Sequence, residues 1–317
     1  MKKLCLIPFL FIFLLVGCGQ TTSEEPAKID LSSIKTWAYQ IQNQNLDNNI
    51  QKLADSQYEL LVIDNTRSLK GEEEYNNKAD IEKIKATDKI VIGYIDIGEA
   101  ESYRWYWKDD WKVGSPAFIQ KPDPDGWDEN YPVRFWENDW QKIILKSVDQ
   151  MLDDGYDGIY MDWIEAYQDE DIIKAAEREK LNPEEEMLKF IRKIREHARA
   201  TDSDFFLIAQ NAVELIDNKI YPELIDAIGV ENIWFDGSGD LDSAESEGDN
   251  PTSKENTEYY LEYMAKFKAK NIPIFTVDYA EKKKNADYVY QKSAELGFKP
   301  YVTIRSLKRL TETPPGF

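Results

Sequence analysis

Eight short apolar runs along the 317-residue chain each end in a large hydrogen-bonding side chain. In order these are Gln40, Asp64, Asp96, Asp162, Gln210 with Asn211, Glu231, Asp278 and Arg305. One polar group after a strand is an ordinary loop starter. A series of eight is not, because loops are served by small residues such as Gly, Ser or Asn and do not need groups this large. Residues of this kind gathered in one place would form a carboxylate-lined pocket. The chain has a single histidine, His197, in the helical stretch Met187 to Ala200, where it reads as a helix-face residue away from chemistry. A Ser-His-Asp triad or a His-rich zinc site is therefore not expected. Proton transfer falls instead to Asp and Glu, whose environments must push one toward the neutral and another toward the ionised form. No metal or cofactor is expected. No GxGxxG follows the first strand, no Walker loop occurs, and the DxDxDG calcium loop is missing.

The elements that must position these groups alternate regularly. Strand candidates are Lys35–Gln40, Glu59–Asp64, Ile90–Asp96, Gly158–Asp162, Phe205–Gln210, Ala227–Glu231, Ile272–Asp278 and Tyr301–Arg305. Between them lie helical patterns such as Asn138–Asp153, Pro183–Arg199, Ser253–Lys270 and Lys284–Leu296. Eight strand–helix units predict a parallel α/β fold closed as a (β/α)₈ TIM barrel, whose strand ends converge at the C-terminal face. Three segments would surround that face. The loop from Gly98 to about Glu137, with Trp140 just past it, carries six of the nine tryptophans: Trp105, Trp107, Trp111, Trp127, Trp136 and Trp140. Exposed indoles suit the C–H faces of sugar rings, although at least half of these are expected to pin the loop onto the barrel. The acidic stretch Gly237 to Asn256 reads as a mobile lid or an unstructured loop, and Tyr167 to Lys180 as a helix-prone insertion at the rim.

The N-terminus predicts an exported chain. Lys2 and Lys3 precede an apolar run from Leu4 to Val16, which is too short to span a bilayer as a helix. Leu15-Val16-Gly17-Cys18 resembles the lipobox of bacterial lipoproteins, in which the Cys is acylated. Residues 1–17 are then a signal peptide, 18–32 a flexible tether from lipidated Cys18, and 33–317 a single TIM-barrel domain. Placement is expected to be extracytoplasmic, anchored to the bacterial membrane through lipid alone. Cys5 and Cys18 are the only cysteines, so the mature domain has no disulfide and relies on core packing. The net charge is −21, or −23 once Lys2 and Lys3 are removed (−21 − 2). A surface this acidic repels nucleic acid and favours neutral or cationic partners. A monomer is expected.

Several blocks then resemble a known family. Trp37-Ala38-Tyr39-Gln40, Gly93-Tyr94-Ile95-Asp96-Ile97-Gly98-Glu99-Ala100-Glu101 with Tyr103-Arg104, and Gly158-Ile159-Tyr160-Met161-Asp162 are similar to the family 114 glycoside hydrolases. So are Gln210-Asn211-Ala212, Val230-Glu231-Asn232 and Val277-Asp278-Tyr279. The resemblance implies the same barrel and hydrolysis of an α-linked, galactosamine-containing polymer, as in endo-α-1,4-polygalactosaminidases. It also implies two catalytic carboxylates, which map onto Asp162 as nucleophile or base and Glu231 as acid. Glu214 is the rival acid. Substrate-binding residues are expected at Trp37, Gln40, Asp64, Tyr94, Asp96, Glu101, Arg104, Trp163, Asn211, Trp234, Asp278, Tyr279 and Arg305. Gln210 departs from the fungal members, which commonly have Lys there, and so does the rim insertion after Asp162. The expected partner is a polysaccharide or oligosaccharide. A non-catalytic lipid-anchored sugar-binding protein and a metal-dependent hydrolase with clustered carboxylates remain open as other readings.

Overall fold

Uncharged runs rich in Ile, Val and Leu suit strands buried on both faces, which is what a parallel sheet covered by helices requires. A computed structural model describes residues 29–46, 48–123, 127, 129–237 and 247–311. The barrel strands are β1 (Trp37–Gln40), β2 (Leu60–Ile63), β3 (Ile90–Asp96), β4 (Gly158–Asp162), β5 (Phe206–Gln210), β6 (Ala227–Glu231), β7 (Ile274–Tyr279) and β8 (Lys299–Thr303). All are parallel and neighbours in sequence order. Around them run α1 (Asn49–Asp55), α2 (Asn77–Lys85), α3 (Asn138–Asp154), α4 (Glu170–Glu179), α5 (Pro183–Thr201), α6 (Tyr221–Leu224), α7 (Lys254–Ala269) and α8 (Lys283–Leu296). The fold is a (β/α)₈ TIM barrel.

Between β1 and β8 the barrel is joined by bonds other than a regular ladder. Trp37 Nε1 donates to the Lys299 carbonyl at 2.8 Å, and the Ile41 and Gln42 amides donate to the Leu307 carbonyl at 3.1 and 3.2 Å. Alternate residues point inward and fill the interior in layers, as small barrels require. Here the filling is aromatic: Tyr39 and Tyr160 have ring centroids 5.1 Å apart, and Trp37 and Phe275 5.3 Å apart. Gly229 makes room for this packing, since a Cβ there would sit 2.1 Å from the Tyr160 hydroxyl.

Three strands, β3, β4 and β6, keep the expected bounds, and the other five move by one or two residues at one end or both. β7 starts and ends later, at Ile274–Tyr279, and β8 starts and ends earlier, at Lys299–Thr303. The loop after β3 is not structureless: Glu99–Glu101 pairs antiparallel with Asn130–Pro132. The rim insertion forms α4, capped by the Asp169 carboxylate on the Asp171 and Ile172 amides. His197 lies on α5 against Asp149 on α3 (2.6 Å). The signal peptide, Cys18 and most of the tether lie outside the described residues. The tether, expected through residue 32, ends earlier: Leu31 packs into the core and Asp30 caps the turn Leu31–Ser33. Among the described residues no helix is long and apolar enough to cross a membrane.

Candidate active site

A cavity of about 930 Å³ opens at the C-terminal end of the strands. Asp162 ends β4 and Glu231 ends β6, and both line it. The chain leaves each of these strands, and β5 between them, through left-handed backbone at non-glycine residues: Trp163 (φ 53°), Asn211 (51°), Ala212 (49°) and Asn232 (58°). Such conformations are uncommon and cluster at functional sites. Trp163 shows the consequence. Its amide turns back to the Asp162 carboxylate at 2.7 Å, and its carbonyl lies where a Cβ on Gly98 would come within 2.1 Å. The ends of β3 and β4 are thereby locked together.

Each of the two carboxylates is held at both oxygens. Asp162 accepts from the Tyr94 hydroxyl at 2.7 Å and from the Trp163 amide. Glu231 accepts from the Tyr279 hydroxyl and from Gln210 Nε2, whose own Oε1 accepts from the Tyr39 hydroxyl at 3.3 Å. The Glu231 amide donates to Asn211 Oδ1 at 3.1 Å. Burial, then the charge of Glu231, pushes Asp162 up to about 7. Burial also raises Glu231, against the pull of Tyr279, Arg305, Gln210 and Asn211. Both acids are thus held above the ordinary carboxylate range, by burial first.

On the β2–β3 side stands a buried ion cluster. Arg104 Nη1 lies 2.7 Å from one Asp64 oxygen and 2.9 Å from the other, and it donates to Ser68 Oγ at 2.6 Å. Its Nε donates to Glu101 at 2.6 Å, and Tyr103 donates to the same carboxylate. Burial still raises Asp64 to about 6, despite the guanidinium. Asp96, the register partner of Asp162, accepts from the Gly98 and Glu99 amides at 3.0 and 2.7 Å on one oxygen. Its other oxygen is buried and makes no hydrogen bond within the protein. Burial, then the charges of Asp162 and Glu101, pushes Asp96 well up. Next to it Glu99 is raised to about 12 by burial and by Asp96 and Asp123, which keeps it neutral at working pH.

Of the residues singled out in the sequence, Asp64, Tyr94, Asp96, Glu101, Arg104, Asp162, Trp163, Asn211, Glu231, Tyr279 and Arg305 line this cavity together. Four do not. Trp37 faces inward but at the opposite, N-terminal end of β1, fully buried among aromatic rings. Gln40 and Asp278 fall on the other side of their strands, because inward positions alternate and belong to Tyr39 and Tyr279. Gln40 donates to the Gln42 carbonyl at 3.1 Å and to the Lys308 carbonyl at 3.4 Å, while Asp278 accepts the Trp234 and Phe235 amides at 2.6 and 2.8 Å. Trp234 is itself buried, and its backbone serves that clasp. Glu214, the rival acid, lies on the turn Val213–Asp217 and does not line the cavity.

Tyr39, Glu99, Tyr103, Trp127, Glu165 and Gln210 also line the cavity without having been singled out as ligand contacts. Strand parity could have found Tyr39 and Gln210; Trp127 and Glu165 depend on loop paths. Of the loop tryptophans, only Trp127 reaches the cavity, with its ring 5.5 Å from the Arg305 guanidinium. The others pin the loop. Trp107 stacks on Tyr131, Trp111 meets Phe118 edge-on, Lys146 sits over Trp105, and Trp136 and Trp140 donate to Glu179 and the Ile97 carbonyl. In the acidic stretch after β6, residues 238–246 lie outside the described residues, whereas Glu247 bonds Ser306 and Lys308. Among the described residues no group of three or more Asp, Glu, His or Cys is arranged to hold a metal ion.

Known proteins match most of this chain. The profile of Glycoside-hydrolase family GH114 fits residues 19–316. An uncharacterized protein of Deinococcus radiodurans is 31% identical over 92% of this chain and 87% of its own. The glycoside hydrolase domain of PelA from Pseudomonas aeruginosa superposes with a TM-score of 0.65 at 15% identity, over 88% of this chain and 97% of that one. Ega3 of Aspergillus fumigatus, solved in complex with galactosamine, gives 0.61 at 15% identity, over 90% and 96%.

Proposed function

The chain belongs to glycoside-hydrolase family GH114, and from that premise we propose that it cleaves an α-linked, galactosamine-containing polysaccharide with Asp162 and Glu231 as the reacting pair. One observation carries the reading. The two carboxylates stand on β4 and β6 at the mouth of one cavity, each fixed at both oxygens, and the charge of Glu231 helps to push Asp162 up to about 7. Glycoside hydrolysis needs one carboxylic acid to protonate the leaving oxygen and one carboxylate to attack the anomeric carbon or activate water. Asp162 takes the second role and Glu231 the first.

Arg305 draws Glu231 toward its ionised form, whereas Asp162 has only a hydroxyl and an amide for partners. A cationic amino sugar entering beside Asp162 and Asp96 favours the ionised form of Asp162, the form that attacks. The galactosamine bound by Ega3 supports this choice of substrate, as does the net charge of −21.

The test is to incubate purified protein, Asp162→Asn and Glu231→Gln with a panel of amino-sugar polymers and score the oligosaccharides released. The wild type should release them and each variant should lose on the order of a thousandfold in kcat, since each removes a reacting group. Full activity in either variant, or wild-type binding without cleavage, would sink the hydrolase reading. Lipid anchoring at Cys18, outside the cell, belongs to the same reading and would give access to extracellular polysaccharide. Metabolic labelling with palmitate should mark the wild type and not Cys18→Ser, and an unlabelled wild type removes the anchor.

A further inference from the structure

We propose that Gln210 is a positioning residue for Glu231: its amide, oriented by the Tyr39 hydroxyl, steadies the carboxylate that remains once Glu231 has given up its proton. This rests on the hydrolase reading above, in which Glu231 is the acid. Tyr39 stands on β1, Gln210 ends β5 and Glu231 ends β6. Eight strands in sequence order put β1 and β5 on opposite walls of the barrel. The Tyr39 hydroxyl therefore comes from the far wall to donate to Gln210 Oε1 at 3.3 Å, and Gln210 Nε2 donates to Glu231 Oε2. Tyr39 and Gln210 are both buried, and both line the cavity.

An amide accepts at one end and donates at the other, so fixing one end fixes the other. With the Tyr39 O–H on Oε1, Nε2 faces Glu231; a half-turn of the amide would set Oε1 against a carboxylate. Tyr39 is held in turn, its ring packed against Trp37, Tyr94 and Tyr160. From β7 the Tyr279 hydroxyl holds the other oxygen of Glu231. Arg305 and Asn211 join Tyr279 and Gln210 in favouring the anion. The charge of Glu231 is felt by Asp162, Glu165 and Asp278, and by the hydroxyls of Tyr160 and Tyr260. The β5–β6 ladder already joins the two strands, so the fold does not need the side-chain bond. What that bond fixes is the direction of a reacting carboxylate, which must be locked by the groups around it.

The test follows the Glu231 carboxyl itself and needs no substrate. In protein labelled with carbon-13 at the Glu side-chain carboxyls, the Glu231 signal is the one lost in Glu231→Gln, and its shift is followed against pH. Gln210→Met removes the donor and leaves the anion less supported, so the titration midpoint should move to higher pH than in the wild type. Tyr39→Phe, which removes only the hydroxyl that orients the amide, should move it the same way by less. An unmoved midpoint in Gln210→Met, with or without a lower melting temperature, overturns the proposal; if that variant does not fold, an unmoved midpoint in Tyr39→Phe does so. On an α-linked galactosamine polymer, kcat should fall at least about tenfold in Gln210→Met with KM little changed, the scale of one hydrogen bond to a charged group. A raised KM with kcat intact would make Gln210 a ligand contact and overturn the proposal. If the wild type cleaves nothing, the hydrolase reading has failed, and the titration still decides whether Gln210 and Tyr39 control Glu231.

Discussion

Trp37 donates its indole N–H to the Lys299 carbonyl at 2.8 Å, and its ring is packed against Tyr39, Tyr160, Phe275 and Tyr301. A phenyl ring in its place leaves a void and an unpaired carbonyl at the join between β1 and β8. Trp37→Phe is therefore expected to lose about 2 kcal/mol of stability, from cavity and hydrogen-bond terms together. For a barrel of this size that lowers Tm by roughly 5 °C. KM should not change, because Trp37 does not line the cavity. A raised KM with an unaltered melt would return Trp37 to the substrate site. Gln40 and Asp278 carry the same lesson at finer grain: moving one residue along a strand exchanges the cavity for the back of the sheet.

Between β3 and α3 the chain makes its longest excursion, and the elements there explain which side chains reach the cavity. The pairing of Glu99–Glu101 with Asn130–Pro132 brings Glu99 and Asn130 into hydrogen-bond contact at 3.2 Å and sets Glu101 beside Arg104. The intervening tryptophans act as rivets, and Trp127 alone is carried across to Arg305 after β8. On the opposite side the left-handed turns after β4, β5 and β6 do similar work with fewer residues. Asn211 serves both chain path and site, since its φ is 51° and its side chain caps the Glu231 amide. Asn is among the few residues that adopt this backbone readily, so Asn211 and Asn232 were readable as turn makers. Trp163 and Ala212 were not, because only surrounding structure holds such residues there.

For the whole molecule, the buried acids tie stability to pH with an unusual sign. Asp64, Asp162, Glu165 and Asp278 are raised to about 6, 7, 8 and 8, chiefly by burial. Between the ordinary carboxylate range near 4 and these values, the folded protein binds more protons than the unfolded chain, so stability falls as pH rises from about 5 to 8. Each such group contributes up to about 1.4 kcal/mol per pH unit within its window. Asp278→Asn keeps the oxygen that accepts the Trp234 and Phe235 amides but cannot ionise. Its Tm should therefore decline less than the wild type's between pH 5 and 8, and parallel declines would show that Asp278 is not a source of the slope.

The eight strand–helix units, the acidic strand ends and the lack of histidine chemistry were all legible in the residues, because a barrel strand must be apolar through its length and may turn polar only at its end. The family blocks brought Asp162 and Glu231 forward as a pair. Tertiary structure decided what spacing along the chain does not encode. It set which of two adjacent strand residues faces inward, as with Tyr39 over Gln40 and Tyr279 over Asp278. It also brought Arg104 onto Asp64 and Trp127 onto Arg305. Pattern along a chain records burial, whereas charge partners are chosen by distance in space, and that distance exists only once the barrel has closed.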